Sequence, residues 1–259
     1  MSAIRSTLPR PTRPAGRGGS EFTELAHRIR SLGLLRRRYG YYWSKLIGLP
    51  LVLVAAIGLF VWLGDTWWQL FTAAALGVVF TQIAFLGHDA AHRQIFVSGK
   101  WNDWISLLLG DLLIGMSYGW WQHKHTRHHA NPNKLGADPD IELPVIAVTA
   151  DASARPRPRA LAWLQAHRNI RGSRMLDMAM GGLNYQIEHH LFPSMPRPHL
   201  RRAAPVIAEY CRSHGVPYTQ VGLFASYGIV VGYINRVGLG ERDAFACPLV
   251  EQRSHLLPG

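Results

Sequence analysis

Two long runs without a charged residue lie close together in the first third of this 259-residue chain. The first covers residues 46–63 and is 18 residues long, and the second covers residues 67–87 and is 21 residues long. A helix that crosses a bilayer needs about 20 mostly apolar residues, so each run is long enough to cross. Only Gly64, Asp65 and Thr66 separate the runs, which predicts an antiparallel helical hairpin. The alternative for such a pattern is a hairpin buried inside a soluble protein.

The charges around this hairpin predict on which side of the membrane its ends lie. The chain has 28 Lys and Arg residues against 16 Asp and Glu, a formal net charge of +12. Arg36, Arg37 and Arg38 precede the hairpin among aromatic residues, whereas its outer turn has no Lys or Arg. Because Lys and Arg are enriched on the cytosolic side, both open ends of the hairpin are predicted to be cytosolic. A basic and aromatic stretch could also bind nucleic acid, but beside a span it suits lipid headgroups, and we expect no nucleic-acid partner.

The ends of the chain are less apolar than the hairpin. Residues 1–20 are rich in Arg, Pro and Gly, which predicts a disordered basic tail and no signal peptide. Ser20 could cap an amphipathic helix that Gly33 ends. Residues 150–159 form a linker rich in Pro and Arg, and residues 238–259 form a C-terminal tail without clear periodicity. Cys211 and Cys247 form no CxxC pair, so a reducing compartment is expected.

Two further apolar stretches are predicted not to cross the membrane. Residues 104–121 contain Asp111 and several small residues, and a crossing there would put the histidines before and after it on opposite faces. We therefore predict an interfacial or re-entrant pair of helices over this stretch. Residues 223–234 are too short to span, and we expect them to pack as a core or interfacial segment.

Seven of the 13 histidines fall into three short clusters. The clusters are His88 and His92; His125, His128 and His129; and His189 and His190, with Gln186 three residues before the last pair. Residues at i, i+3 and i+4 share one face of a helix, so the imidazoles of each cluster can reach one metal ion. One such cluster is a weak signal, but three with related spacing predict a shared site. Asp89 points elsewhere and could orient a ligand histidine through a hydrogen bond, and His123 would point away from the site.

The ligand type narrows the choice of metal. Neutral nitrogen ligands suit iron, zinc, copper or nickel. Seven imidazoles are too many for one zinc ion, which is four-coordinate in structural sites, but they suit two ions that share a site. At the end of a membrane hairpin, such a site would have access to an acyl chain in the bilayer. An oxidative reaction on that chain would require iron, because zinc has no redox chemistry.

The residues described so far resemble the membrane fatty acid desaturase family, in the branch whose last histidine box begins with Gln. The resemblance rests on GHDAAH at 87–92, WWQHKHTRHHANPN at 120–133, DPDI at 138–141 and GGLNYQIEHHLFPSMPRPHL at 181–200. It covers the chain from about residue 24 to residue 227, and the last motif is very specific. The resemblance implies an all-α integral membrane fold in which a cytosolic helical cap on the hairpin carries the histidine boxes.

The resemblance also implies an activity. It implies a non-haem centre of two iron ions that inserts a double bond into a fatty acyl chain, supplied as acyl-CoA or acyl lipid. The cosubstrate would be O₂, with electrons from a separate ferredoxin-like redox protein. By motif position, the seven clustered histidines would be the iron ligands and Gln186 a hydrogen-bonding group beside them. Related lipid hydroxylases share histidine boxes, but the Gln-type third box and the HLFPSMPR stretch favour desaturation.

The chain departs from the family between the second and third boxes. Family members have four membrane spans in two hairpins, but the 56 residues between His129 and Gln186 contain no run long enough to cross. A second hairpin is therefore predicted to be missing, with the join at residues 144–171, inside a desaturase-like domain at residues 21–237. Losing a whole hairpin keeps the third box on the cytosolic side.

This loss also affects the expected chemistry. The lost hairpin would take with it one further metal ligand, which Glu188, His123 or water could replace, and part of the acyl channel. The alternative to an active enzyme is a degenerate protein that keeps the boxes without catalysis. The Arg-rich, Lys-poor composition indicates a bacterial protein of the plasma membrane.

Overall fold

The computed structural model describes residues 17–132, 137–140 and 168–240, with side chains described from residue 22 to residue 232 of these ranges. Nearly all of the regular structure in them is helical. The elements are α1 (Arg17–Ser31), α2 (Tyr39–Leu63), α3 (Gln69–Ala91), α4 (Gly99–Leu107), a π-helix (Leu108–Ile114), α5 (Tyr118–Ala130), β1 (Asn169–Arg171), α6 (Arg174–Ala179), α7 (Gln186–Leu191), α8 (Arg197–Ser213), β2 (Gln220–Gly222) and α9 (Leu223–Gly240). The predicted helical fold is confirmed, with two three-residue strands as its only described sheet.

The predicted hairpin is formed by α2 and α3. Both helices are long and apolar enough to cross a membrane, and only 6% and 22% of their most apolar windows are buried within the protein. Large side chains such as Leu51, Val61 and Phe71 are exposed along them. A soluble protein would bury such faces, so this exposure favours the bilayer over a soluble core. Of the described residues, no other helix meets the length and composition required for a span.

The turn between the two spans is closed by polar contacts. Gly64 ends α2 with a φ of 58°, a conformation that glycine adopts without strain. The Nε2 atom of Gln69 donates hydrogen bonds to the carbonyl oxygens of Phe60 and Gly64, at 2.8 and 2.7 Å. These bonds satisfy carbonyls that the end of a helix leaves without a partner.

The chain folds back after α3 instead of crossing again. Asn102, at the start of α4, is fully buried and bonds both the N–H and the carbonyl of Phe96, at 3.1 and 2.8 Å. The π-helix then packs against α3, and Gly115 ends it with a φ of 77°. As a result α5 returns to the end of α3, where His92 and His125 lie 2.9 Å apart. The prediction that residues 104–121 do not separate the first two histidine clusters is confirmed.

A cap of short elements covers the end of the hairpin. Its core joins the amphipathic helices α1 and α8 to α7 through buried residues that include Leu25, Ile29, Ile187, Met195 and Ile207. Strands β1 and β2 pair in parallel, with Ile170 opposite Val221. These contacts bring α7, which carries the third histidine cluster, down onto the end of α3.

Several predicted boundaries differ from the structure. Helix α1 begins at Arg17, so Ser20 lies inside it and the predicted cap at Ser20 is wrong, whereas Gly33 follows its end as expected. Helix α9 runs to Gly240, beyond the predicted residues 223–234. Residues 17–20 of the predicted disordered tail and residues 238–240 of the predicted C-terminal tail are helical, so both tail boundaries were wrong. Residues 1–16, most of the predicted join at 144–171 and residues 241–259 lie outside the described ranges.

Candidate metal centre

The first histidine pair sits where α3 ends. His88 belongs to the last turn, and His92 follows the helix and donates its backbone N–H to the carbonyl of His88 at 3.1 Å. Their rings stand 4.6 Å apart between centroids. Arg93, with a φ of 56°, then turns the chain away from the helix axis. The left-handed conformation at Arg93 is uncommon for a residue with a Cβ, and it leaves both imidazoles at the open end of the hairpin.

Helix α5 presents the second cluster as one stripe. His125, His128 and His129 are all partly buried. Trp121, one turn earlier, stacks on the His125 ring at 4.3 Å with an interplanar angle of 21°. His123, which the spacing places off this stripe, is exposed to solvent. The suggestion that His123 replaces a further metal ligand therefore lacks support from its position.

Helix α7 is only six residues long and is held by a buried polar network. The side chain of Asn169 accepts the N–H of Ile187 at 3.0 Å and donates to a carboxylate oxygen of Glu188 at 2.7 Å. The hydroxyl of Tyr218 donates to the other oxygen of Glu188 at 2.7 Å. Glu188 is fully buried and its carboxylate is occupied by these two donors. The suggestion that Glu188 fills an open metal position therefore lacks support from its contacts.

The three clusters converge on one place. The rings of His88 and His189 are 4.8 Å apart, those of His92 and His129 are 4.5 Å apart, and those of His129 and His190 are 4.2 Å apart. His88, His92, His125 and His189 each offer a ring nitrogen, and these four atoms all lie within 4.8 Å of one another. Residues up to 102 positions apart in the sequence thus form a single group of seven imidazoles.

The spacing of the ring nitrogens fits shared metal ions. The Nε2 atom of His125 lies 2.9 Å from that of His92 and 3.0 Å from that of His129. Two nitrogens bound about 2.1 Å from one ion at a right angle would lie about 3.0 Å apart. The Nε2 atom of His189 is buried and has no hydrogen-bond partner among the described residues. Since buried polar atoms normally have a partner, an ion would satisfy this nitrogen.

The surroundings favour the neutral form of three of these imidazoles, those of His92, His125 and His189. Burial, followed by the neighbouring histidines, lowers the pKa of His125 to about 2. The same causes hold the pKa values of His92 and His189 well below their usual range. A neutral imidazole has a lone pair on one ring nitrogen, and this is the form that binds metal ions. At neutral pH these three imidazoles therefore have the protonation state that a metal site requires.

Asp89 has a different partner from the one the sequence suggested. Its Oδ1 atom lies 3.8 Å from the Nδ1 atom of His88, which is too long for a hydrogen bond. Its Oδ2 atom instead lies 2.7 Å from a guanidinium nitrogen of Arg197, and both side chains are largely buried. The backbone N–H of Arg197 also bonds Tyr42 and Gln94, at 3.1 and 3.2 Å. Asp89 thus joins the hairpin to the cap.

His128, in the second cluster, is hydrogen-bonded to the carboxylate of Asp138. No role for Asp138 was predicted from the sequence. Both carboxylate oxygens of Asp138 lie within 3.0 Å of the Nδ1 atom of His128. A sequence signal for Asp138 was present, because this residue begins the DPDI motif. Gln186, in contrast, is the half-buried first residue of α7, and no hydrogen bond found among the described residues joins it to an imidazole.

An apolar cavity of about 210 Å³ opens beside the cluster. Its walls come mainly from α3, the π-helix, α5 and the turn before α7, and they include Phe85, Ile114, Tyr118 and Leu183. His88 and Trp121 line it at the end next to the other imidazoles. A mostly apolar cavity that ends at a polar cluster is typical of a site that binds an apolar chain and reacts at one point along it.

Comparison with known proteins adds a family to this geometry. The family model for fatty acid desaturases matches residues 65–167 and 160–222. The Delta(8)-fatty-acid desaturase of Helianthus annuus is 22% identical over 340 residues, covering 86% of this chain and 74% of that protein. The Delta(8)-fatty-acid desaturase of Borago officinalis is 22% identical, covering 88% and 77%, and the Delta(5) fatty acid desaturase fat-4 of Caenorhabditis elegans is 23% identical, covering 81% and 72%. No solved structure matches the chain significantly.

The alignments with these relatives are longer than the chain. The alignment with the Helianthus annuus protein extends over 340 residues, whereas this chain has 259. Stretches of that relative therefore have no counterpart here. That a second hairpin is the missing part stays a prediction, because residues 141–167 are not among those that the structure describes.

Proposed function

Because the chain belongs to the fatty acid desaturase family, we propose that it inserts a double bond into a fatty acyl chain at a centre of two non-haem iron ions. The observation that carries this proposal is the convergence of seven imidazoles at the end of an apolar cavity. The proposed ligands are His88, His92, His125, His128, His129, His189 and His190. When bound, iron supplies the chemistry that these side chains lack, which is the activation of O₂.

The protein's own contribution is to place the acyl chain and exclude water. The cavity walls from Phe85, Ile114 and Leu183 would replace water around the methylene groups, which favours entry of an apolar chain. His88 and Trp121 form the end of the cavity next to the cluster. Two adjacent methylene groups that reach this end would lie beside the ligand histidines. Which methylenes reach it depends on the depth of the cavity.

The proposed reaction balances with one O₂ and one external donor. Two hydrogen atoms leave adjacent carbons of the acyl chain, and a carbon–carbon double bond forms between them. Together with two electrons from the donor and two protons, these hydrogens reduce one O₂ to two waters. A separate ferredoxin-like protein is the proposed electron donor, and the basic side chains of Arg36, Arg37 and Arg38 beside the hairpin suit an acidic partner.

The same charges support a location and an orientation. We place the protein in the bacterial plasma membrane, with both termini and the histidine boxes in the cytosol. The basic residues before α2 and the absence of Lys and Arg from the turn between α2 and α3 support this orientation.

A pair of histidine variants tests the proposed centre. The full chain would be purified in detergent, its iron counted by elemental analysis, and its effect on cellular fatty acids profiled in a host with a ferredoxin system. We expect two iron ions per chain and new unsaturated acyl chains. His189→Ala should lose iron and product, because His189 is buried among the other imidazoles.

His123→Ala is the matched control, because His123 lies on α5 but is exposed and off the stripe. It should keep both iron and product. An unchanged acyl profile from a chain that holds two iron ions would contradict desaturation. Hydroxylated acyl chains in place of alkenes would contradict it as well.

A further inference from the structure

We propose that Asp138 is a positioning residue that fixes the ring and the tautomer of His128 for metal binding. This inference rests on the proposed function only in that His128 is taken to bind a metal ion. The two carboxylate oxygens of Asp138 lie 3.0 and 2.9 Å from the Nδ1 atom of His128. At these distances the imidazole N–H donates to the carboxylate in a charge-assisted hydrogen bond.

The contact between Asp138 and His128 is shielded from water, because Asp138 is buried. The residue is fully buried, whereas its neighbour Asp140 is about one-third exposed. An ionised carboxylate that leaves water needs donors to offset the lost hydration. The N–H of His128 is one donor, and the backbone N–H of Asp140 is another, at 2.9 Å from Oδ1 of Asp138.

The turn that carries Asp138 is itself attached to α5. The Nζ atom of Lys124 lies 3.0 Å from a carboxylate oxygen of Asp140. Lys124 precedes His128 by four residues, so both project from the same side of the helix. The Asp140–Lys124 pair therefore holds residues 138–140 against the helix face from which His128 projects.

The hydrogen bond selects one tautomer of His128. A proton held on Nδ1 by Asp138 leaves the lone pair on Nε2, at the opposite edge of the ring. The ring of His190 lies 5.0 Å from that of His128 and the ring of His129 lies 5.8 Å away. Such a carboxylate contact fixes the ring orientation of a ligand histidine and raises its basicity, and its loss typically costs 10–100-fold in metal affinity.

Metal affinity can be measured without relying on turnover. The full chain in detergent micelles would be titrated anaerobically with ferrous iron, and separately with cobalt(II), in competition with a chelator of known affinity. For Asp138→Ala we expect the affinity for the ion that His128 binds to fall by about 10–100-fold. Asp138→Asn keeps an acceptor of the same shape without the charge, so it should lose less affinity, and its cobalt(II) absorption spectrum should shift from that of the unmodified chain.

Asp177→Asn is the matched control for a purely structural effect. Asp177 bonds Asn184 and pairs with Arg201, and it has no described contact with an imidazole. Its loss should lower the melting temperature of the metal-free protein without changing metal affinity. A structural role for Asp138 would produce this same pattern.

Asp138→Ala and Asp138→Asn with unchanged metal affinity would overturn the proposal, whatever their melting temperatures. A chain that binds no iron or cobalt would overturn both this proposal and the proposed function. A chain that binds two ions and loses affinity in the Asp138 variants, but forms no alkene, would support the role of Asp138 and contradict desaturation. If Asp138→Ala does not fold, the affinity and spectrum of Asp138→Asn decide the question.

Discussion

The turn before the third histidine cluster depends on glycine at a point where it touches the hairpin. Gly181 has a φ of 59°, a left-handed conformation. A Cβ atom placed on Gly181 would overlap the ring of Phe85 on α3. This ring lines the cavity beside His88. Gly181→Ala should therefore both strain the backbone and push the third cluster away from the first.

The size of this effect can be worked out from two contributions. A left-handed residue with a Cβ costs about 1–2 kcal/mol relative to glycine. Forcing a methyl group into a packed contact adds about 1–3 kcal/mol. The overlap involves Phe85 ring atoms next to the backbone, so a change of rotamer at the far end of the side chain cannot relieve it. We expect Gly181→Ala to destabilise the protein by about 2–5 kcal/mol in total.

Gly215 provides a matched control for the backbone contribution. It has a similar φ of 66°, but a Cβ there would meet nothing within 4 Å. Gly215→Ala should therefore cost only about 1–2 kcal/mol. Thermal unfolding in detergent would measure both, because 1 kcal/mol shifts the melting temperature by about 2–4 °C in a chain of this size. Iron content should fall in Gly181→Ala and stay unchanged in Gly215→Ala.

A double variant tests the assigned contact itself. Phe85→Ala removes the ring that a Cβ on Gly181 would strike. In the Phe85→Ala background, Gly181→Ala should cost only as much as Gly215→Ala, so the two changes should be non-additive by about 1–3 kcal/mol. Additive effects, or equal melting temperatures for the two single glycine variants, would refute the reasoning that this turn is pressed against α3.

Three further outcomes are expected from buried groups. Burial raises the pKa of Cys211 to about 11, so its alkylation followed by mass spectrometry should accelerate about tenfold per pH unit from pH 8 to pH 10, and a rate that levels off near pH 9 would contradict this. Asp89→Asn should lower the melting temperature strongly, because a buried Arg197 without its partner costs about 3–5 kcal/mol, and the combined Asp89→Asn and Arg197→Gln variant should recover part of the loss. Tyr218→Phe should destabilise the cap by about 1–3 kcal/mol, because the buried Glu188 loses one donor, and a melting temperature equal to that of the unmodified chain would show that water replaces the hydroxyl.

The sequence predicts those features that depend only on the repeat of a helix or on the length of an apolar run. The two spans follow from the thickness of the bilayer, and the stripe of His125, His128 and His129 follows from the repeat of the helix. The exposed position of His123 follows from the same repeat. These predictions need no knowledge of which elements touch, and this is why they agree with the described structure.

Contacts between distant elements have no such local signal. Asp89 and Arg197 are separated by 108 positions, and no repeat or spacing in the sequence links them. The buried pair of Asn169 and Glu188 also depends on how β1 meets α7. The π-helix after α4 was also not predicted; it packs against α3, a contact between elements that the sequence pattern does not show.

Polar contacts between the hairpin and the cap fix the position of the third histidine cluster. Gln94, fully buried after the first cluster, donates to the carbonyl of Pro193 at 2.8 Å and accepts the hydroxyl of Tyr42 at 3.0 Å. Arg197 meets Asp89 in the same region. The bond to Pro193 and the pair with Arg197 join the end of α3 to the residues that directly follow α7, and the bond to Tyr42 ties Gln94 to α2.

A buried polar contact of this kind is satisfied in one register only, whereas an apolar face can slide by a turn at little cost. The segment after α7 is therefore fixed relative to α3 by its hydrogen bonds and its ion pair. If a second hairpin is missing, as the sequence predicts, the relative position of the first and third clusters does not depend on it. The loss of a second hairpin would then affect mainly the acyl cavity. Its described walls come from α3, the π-helix, α5 and Leu183.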